Sequence, residues 1–263
     1  MSSAPATEFV TYALDGHIAT ITFNRPDRLN ALLPDMIHTY SNLLDFADAD
    51  PHVRVIIVTG AGRGFCSGAD LSILGEDPEL VQGFLHGQSH ATVPGKFLHM
   101  STPVITAING PAAGLGFVIA ISADFRFTKS DAKLSSTFSR LGLIAEYGIA
   151  WLLPRLVGLA RATELLISGR SFSGQDAYEY GLVLAASDDP LADAYACAND
   201  LIAHCSPASI AVIKAQLLRG MNADFNDSAD DAFIEMGYAF EREDLATALA
   251  GKINKVPPQF PAL

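Results

Sequence analysis

Along "HIATITFN" the residues Ala19, Ile21 and Phe23 alternate with Ile18, Thr20 and Thr22. That period of two predicts a half-buried strand, with a hairpin at this end of the chain. The period then changes. From Pro34 to Asp48 the apolar residues Met36, Ile37, Tyr40, Leu43, Leu44 and Ala47 recur at helical spacing, behind a proline suited to a first turn. "VRVIIVTG" reads as a buried strand, and the glycine-rich "GAGRGFCSGADL" follows it. A helical stretch is predicted from about Pro78 to Met100, then another strand in "PVITAI", then a second glycine loop and helix in "NGPAAGLGFVIAISAD". "FRFTKS" and the shorter "KLSSTF" read as further strands. From Tyr147 onward the chain reads almost wholly helical. Ser206-Pro207 opens a helix through Arg219, and the segment from Asp227 to Gly251 holds one or two more before the proline-rich tail "VPPQFPAL". The pattern is that of an α/β chain with no low-complexity break before the tail.

Composition narrows the class. A chain of 263 residues, 49% hydrophobic and 17% charged, suits one substantial core or a core with a small appendage. A formal net charge of −12 argues against non-specific binding to nucleic acid or an anionic membrane, while leaving room for a local basic patch around a phosphorylated ligand. Cys66, Cys197 and Cys205 form no C-x-x-C pair and are too few for a disulfide framework, so free thiols in a reducing compartment are expected. The start "MSSAPATEF" lacks a basic stretch followed by an apolar one, and no window approaches the apolar length of a membrane span. A cytoplasmic protein with no membrane or nucleic-acid partner is the expectation.

The candidate chemistry sits at the two glycine loops. Each joins a buried strand to a helix, where backbone N–H groups lack intrahelical partners and point outward. Gly68 lets a ligand approach the backbone, and Ala69 is the first residue able to start a helix; in the second loop Gly114 and Gly116 flank Leu115. Two such N–H groups converging on one point would form an oxyanion hole. Either loop alone reads more readily as a tight turn. His86 and His90 have the four-residue spacing of a metal pair, but without H-E-x-x-H or a third ligand no metal site is expected. Cys66 and Ser67 lack a neighbouring histidine or a G-x-S-x-G pattern, so Cys66 reads as a small buried thiol.

Taken together, "NRPDRLNAL", "GRGFCSGADL", "PVITAINGPAAGLG" and "AEYGIAWLLPRLVG" resemble the crotonase superfamily, also called the enoyl-CoA hydratase/isomerase family, from about residue 9 to the C-terminus. The resemblance implies a crotonase-like spiral of ββα repeats over residues 1–200 and a helical C-terminal trimerisation region over 201–263, assembled as homotrimers or dimers of trimers. It implies acyl-CoA thioester substrates and no separate cofactor. Carried over by position, the oxyanion donors are Ala69 and Leu115. Arg25 and Arg28 would lie near the CoA phosphates, Ala69, Asp70 and Leu71 would border the adenine, and Lys252 or Phe260 would reach a neighbouring subunit's CoA. Gly114 and Phe138 complete the substrate-binding set. Phe84, Leu85, Phe97 and Leu98, with the face carrying His86 and His90, either shape the acyl pocket or are core and plain helix surface.

The departures from the family pattern matter more than the matches. Hydratases of the family use two glutamates, and counting along this chain puts those positions at Val118 and Phe138, neither of which transfers a proton. Leu115 stands where many members have glycine, yet still supplies a backbone N–H. Glu146 follows Phe138 by eight residues, and "GLIAEYG" resembles the stretch in which peroxisomal-type Δ3,Δ2-enoyl-CoA isomerases and phenylacetate-pathway ring isomerases carry their acid. An isomerase needs only one carboxylate, to take a proton from C2 and return it at C4. The expectation is therefore an isomerase with Glu146 as acid/base. The competing readings are a hydratase or lyase with an unconventional water site, and a non-catalytic acyl-CoA binding protein. A further reading of Glu146 alone is a charge favouring the next helix, worth about 0.3–1 kcal/mol.

Overall fold

In the computed structural model, which describes residues 3–70, 72 and 95–263, the predicted hairpin forms from β1 (Val10–Asp15) and β2 (Ile18–Phe23). They pair antiparallel from Val10↔Phe23 to Asp15↔Ile18, and Gly16 takes φ +56° in the turn. β2 then starts a parallel run with β3 (Val55–Gly60), β4 (Val104–Ile108), β6 (Phe125–Lys129) and β9 (Ala185–Ser187), in the order β1-β2-β3-β4-β6-β9. The two faces of this sheet are covered differently. Ala19, Ile21, Phe23, Ile56, Val58 and Val104 pack with α1 (Pro34–Asp48) into the main core. Ile18, Val55, Ile57, Ile105 and Ala107 pack against Ala194 and Ala198 of α6 (Pro190–His204). Burial on both sides is why β3 reads as an unbroken apolar run.

A second, smaller layer runs beside the first. β5 (Ala112–Ala113) pairs parallel with β7 (Lys133–Ser135), which pairs antiparallel with β8 (Phe172–Ser173). Isolated parallel bridges Leu32↔Ala69 and Cys66↔Ala112 extend that layer. Each repeat thus gives one strand to the large sheet and one short extended piece to the small layer, which is the spiral that the resemblance implies. α2 (Leu115–Ser122) follows β5 and is buried along its whole length, as expected of a helix apolar all round.

The second half departs from the expectation of an almost wholly helical chain. α3 (Ile149–Val157), α4 (Leu159–Ser168) and α5 (Gly174–Glu179) are present, but β8 and β9 are strands. They are two and three residues long, too short for alternation to show, and they exist because β7 and β6 offer open edges. The stretch predicted helical from Pro78 to Met100 lies mostly outside the described residues; its last part, Gly95–His99, is a 3-10 helix. His86, His90, Phe84, Leu85 and Leu71 also lie outside them. Phe97 belongs to the core, edge-on to Tyr40 at 6.3 Å.

The C-terminal region comprises α7 (Pro207–Gly220), α8 (Phe225–Glu241) and α9 (Glu243–Asn254). Lys214 ties α7 to the core through Asp124 at 2.7 Å and the Thr102 carbonyl at 3.0 Å. α8 buries no residue, and Phe225, Phe233, Ile234, Tyr238, Phe240 and Ile253 are exposed. The three cysteines are unbridged. Among the described residues no single helix is long and apolar enough to cross a membrane, and no cluster of His, Cys, Asp or Glu has a metal-binding arrangement.

Candidate active site

The two glycine loops are stitched to each other. Phe65 and Cys66 both donate their N–H to Pro111 O at 3.1 Å, and Ala113 N–H donates to Cys66 O at 3.0 Å. The fit requires glycine at two points. A Cβ on Gly116 would lie 2.1 Å from Cys66 O, and one on Gly68, where φ is +96°, would lie 2.7 Å from Ala113 O and 3.5 Å from Leu115 N. Gly68 therefore sits directly against the start of α2, and Ala69 is the next residue along.

The donors follow from this stitching. In the bridge to Leu32 the neighbours of Ala69 take the hydrogen bonds: Leu32 N–H donates to Gly68 O at 2.8 Å and Asp70 N–H to Leu32 O at 3.0 Å. Ala69 N–H faces the other way and has no partner among the described residues. Leu115 opens α2, so its N–H has no intrahelical acceptor, and among the described residues it has no other. Gly114, at φ +52°, is fixed from the far side by its N–H bond to Ser135 O at 3.1 Å. The Leu115 side chain is buried. Two unpaired N–H groups on adjoining loops suit a carbonyl oxygen that gains negative charge.

Glu146 follows β7 in the chain. After Ser135 the chain turns through the 3-10 helix Phe138–Leu141, and the loop 142–148 leads into α3. Glu146 O caps the turn by accepting from Ile149 N–H at 3.1 Å, while Tyr147 and Gly148 take φ of +53° and +74°. The Glu146 carboxyl is half-buried, and burial holds its pKa above the usual glutamate value. It has no ion-pair or hydrogen-bond partner among the described residues. Burial, with a smaller contribution from the Glu146 charge, pushes the Tyr147 phenol up to about 12. Ala145 and Tyr147 both pack on the main core. Val118 and Phe138 are buried in that same core, so both positions to which the resemblance carries the hydratase glutamates are apolar and enclosed.

The remaining candidates are spread out. Arg25 donates to Asp70 at 2.6 Å and to Ala31 O at 3.1 Å, so its charge is already paired. Ser72 and Arg25 together hold the Asp70 carboxyl below its usual range. Arg28 is exposed, and its carbonyl accepts from Ser67 Oγ at 3.4 Å, beside the first loop. Lys252 is exposed on α9, whereas Phe260 lines a cleft of about 320 Å³ with Ser206, Phe240, Arg242 and Leu245. Burial pushes the Cys66 thiol up to about 12, against a smaller lowering by the Gly68 N–H, so it is not an ionised nucleophile at neutral pH. Sequence reasoning missed Asn30 and Asn109, whose carboxamides bind the first loop. The signal was present as an asparagine just before each loop-forming segment, in "RLNAL" and "AINGP".

The family model described as enoyl-CoA hydratase/isomerase matches residues 14–260. The 1,2-epoxyphenylacetyl-CoA isomerase of Escherichia coli K12 is 36% identical over 185 residues, covering 69% of this chain and 71% of that protein. A Mycobacterium tuberculosis H37Rv protein named as a probable enoyl-CoA hydratase is 37% identical over 191 residues, covering 69% and 71%. Among solved structures, the enoyl-CoA hydratase of Bacillus anthracis superposes with a TM-score of 0.90 at 28% identity, over 96% of this chain and 99% of that one.

Proposed function

The chain belongs to the enoyl-CoA hydratase/isomerase family, and we propose that within it the protein is an enoyl-CoA isomerase. The reading rests chiefly on the contrast between Glu146, a half-buried carboxylate without a partner among the described residues, and the buried apolar side chains at Val118 and Phe138. The thioester oxygen of a 3-enoyl-CoA would accept from Ala69 and Leu115 N–H. Glu146 takes the C2 proton, the electron pair moves into the C1–C2 bond, and the dienolate oxygen carries the charge between the two N–H groups. The same carboxyl then returns the proton at C4, leaving the double bond between C2 and C3. Nothing is added or lost, so no cofactor is needed. The raised pKa of Glu146 suits a group that must both accept and give back a proton near neutral pH.

Outside the reacting atoms, the exposed Arg28 beside the first loop would be a cation for the CoA phosphates, with Arg25 held by Asp70. The exposed apolar residues of α8 and α9 would be covered by neighbouring subunits of a trimer.

The named isomerase among the relatives supports double-bond or ring chemistry on a CoA thioester, while the relatives named as hydratases favour water addition. Competition between a 3-enoyl-CoA and a 2-enoyl-CoA, with products separated by chromatography, decides between them. Isomerisation should be far faster than hydration. The reverse ranking makes the protein a hydratase, and tight binding without turnover of any enoyl isomer makes it a binding protein.

A further inference from the structure

Between the end of β3 and Cys66, the first loop runs through residues 60–65, and five of its carbonyls point at two asparagine side chains. The two N–H groups of Asn30 Nδ2 are shared among Gly64 O at 2.8 Å, Ala61 O at 3.0 Å and Phe65 O at 3.2 Å. Asn109 Nδ2 donates to Gly60 O at 2.9 Å, Gly62 O at 3.0 Å and Gly64 O at 3.3 Å. The Gly64 carbonyl is shared by both. The acceptor ends are occupied as well: Asn30 Oδ1 accepts from Arg25 N–H at 2.8 Å, and Asn109 Oδ1 from Gly60 N–H at 3.2 Å. Asn30 is fully buried at φ +57°, a left-handed conformation that asparagine tolerates better than most side chains. Glycine at 60 and 110 makes room, since a Cβ there would lie 2.3 Å from Gly64 O and 2.0 Å from Arg63 O respectively.

The two carboxamides tie the loop to different segments of the chain. Asn30 lies between Leu29, whose carbonyl accepts from Ser67 N–H at 3.0 Å, and Leu32, which is bridged to Ala69. Asn109 lies two residues before Pro111, whose carbonyl holds Phe65 and Cys66, at the root of the loop that leads to Leu115. One asparagine therefore ties the loop to the segment beneath Ala69, and the other ties it to the loop of Leu115. We propose that Asn30 and Asn109 are positioning residues for the oxyanion hole, a two-sided clamp that sets the separation and direction of the Ala69 and Leu115 N–H groups. The proposal rests on the reading of those two N–H groups as the hole. Without the clamp, residues 61–64 have few other hydrogen bonds among the described residues, and the loop would shift by fractions of an ångström.

The test reads the hole directly. [1-13C]Butyryl-CoA, a saturated thioester, is bound to the protein, and infrared difference spectra give its carbonyl stretch, which falls in frequency as hydrogen bonds to the oxygen strengthen. In Asn109→Ser and Asn30→Ser the lowering should shrink, and kcat on a 3-enoyl-CoA should fall by about 10- to 100-fold, the scale of a small misplacement of reacting groups. KM should change far less, because Asn30 is fully buried and neither asparagine is among the residues assigned to CoA. Asn109→Asp, which keeps the shape and the acceptor but loses the donors, carries the test if a serine variant does not fold. Asn24→Ser, whose side chain among the described residues holds only Glu8 O, should leave activity unchanged. A lower melting temperature in the clamp variants with the carbonyl frequency and kcat of the wild type would overturn the proposal. A wild-type spectrum with no lowering at all would instead overturn the hole itself.

Discussion

The two halves of the candidate site are held in opposite ways. The loops carrying Ala69 and Leu115 are fastened by backbone bonds to Pro111, Cys66 and Leu32, by two asparagine side chains, and by glycines whose replacement would put a Cβ within 2.1 Å of a carbonyl at Gly116. The loop carrying Glu146 has little of this. Leu143 N–H reaches Phe138 O at 2.9 Å and Ile149 N–H reaches Glu146 O at 3.1 Å, while Leu143 and Ile144 are exposed. The proposed hole is made of main chain, so its geometry would depend on the fold and not on which side chain stands at position 115. The proposed acid is one side chain on a short turn, so moving a carboxylate would change the chemistry while the hole stayed in place.

The contrast is tested most severely at the acid. Glu146→Gln should keep the fold and acyl-CoA binding and lower isomerisation by about 10²–10⁴, the usual contribution of a positioned acid/base. Near-wild-type turnover in a 3-enoyl-CoA assay would leave the site without its only assigned proton carrier.

At the hole, side chain and main chain should separate. Leu115→Ala should retain most activity. Leu115→Pro removes the N–H at a first-turn position where proline suits the helix, and should lower kcat by about 10²–10³. Circular dichroism checks that α2 survives. Equal rates for the two variants would mean that the Leu115 N–H does not face the thioester oxygen.

A stability measurement probes the stitching. Gly116→Ala places a methyl group 2.1 Å from Cys66 O, so backbone must move, at a cost of about 1–3 kcal/mol or more in chemical denaturation. Ala145→Gly, on the acid loop, should cost less. If Gly116→Ala is as stable as wild type, the two loops are not held as rigidly as their hydrogen bonds suggest.

The smallest effect concerns pH. Burial raises the Glu146 pKa, and the group must be ionised to accept a proton, so kcat/KM should rise with pH along a limb above the ordinary glutamate value of about 4.3. The same shift means that the folded state binds this proton more tightly than the unfolded chain does. Ionised Glu146 therefore costs stability above its folded pKa, and the cost fades as pH falls through that value and is gone below the ordinary one. Glu146→Gln should melt slightly higher than wild type at neutral pH, with the gain vanishing in acid. An acid limb at the ordinary value would show that the carboxyl is fully solvated.

Much of the fold was legible along the chain because it obeys local rules. The period of two in β2, the proline-led helix α1 and the unbroken apolar run of β3 each reflect which faces are buried. β8 and β9 were not legible, since strands of two and three residues carry no period and form only where β7 and β6 present an edge. The candidate site divides in the same way. Gly68, Gly114, Gly116 and the lone carboxylate of Glu146 stand out as residue types, and the apolar residues at Val118 and Phe138 could be counted to. The pairing of Arg25 with Asp70 could not, because an ion pair spanning 45 residues depends on how two loops meet. The convergence of Asn30 and Asn109 on one carbonyl was equally hidden.

The sequence by itself determined the α/β class, the family, and which residues were chemically able to act, because side-chain identity and local periodicity are properties of the chain alone. Tertiary structure decided the rest. It placed Gly68 against the start of α2, turned the Ala69 N–H away from the Leu32 bridge, half-buried Glu146 to raise its pKa, and kept the apolar side chains of α8 out of the chain's own core. The physical reason is that direction, burial and partnership of a group depend on segments far apart in sequence, and only the packed spiral brings them together.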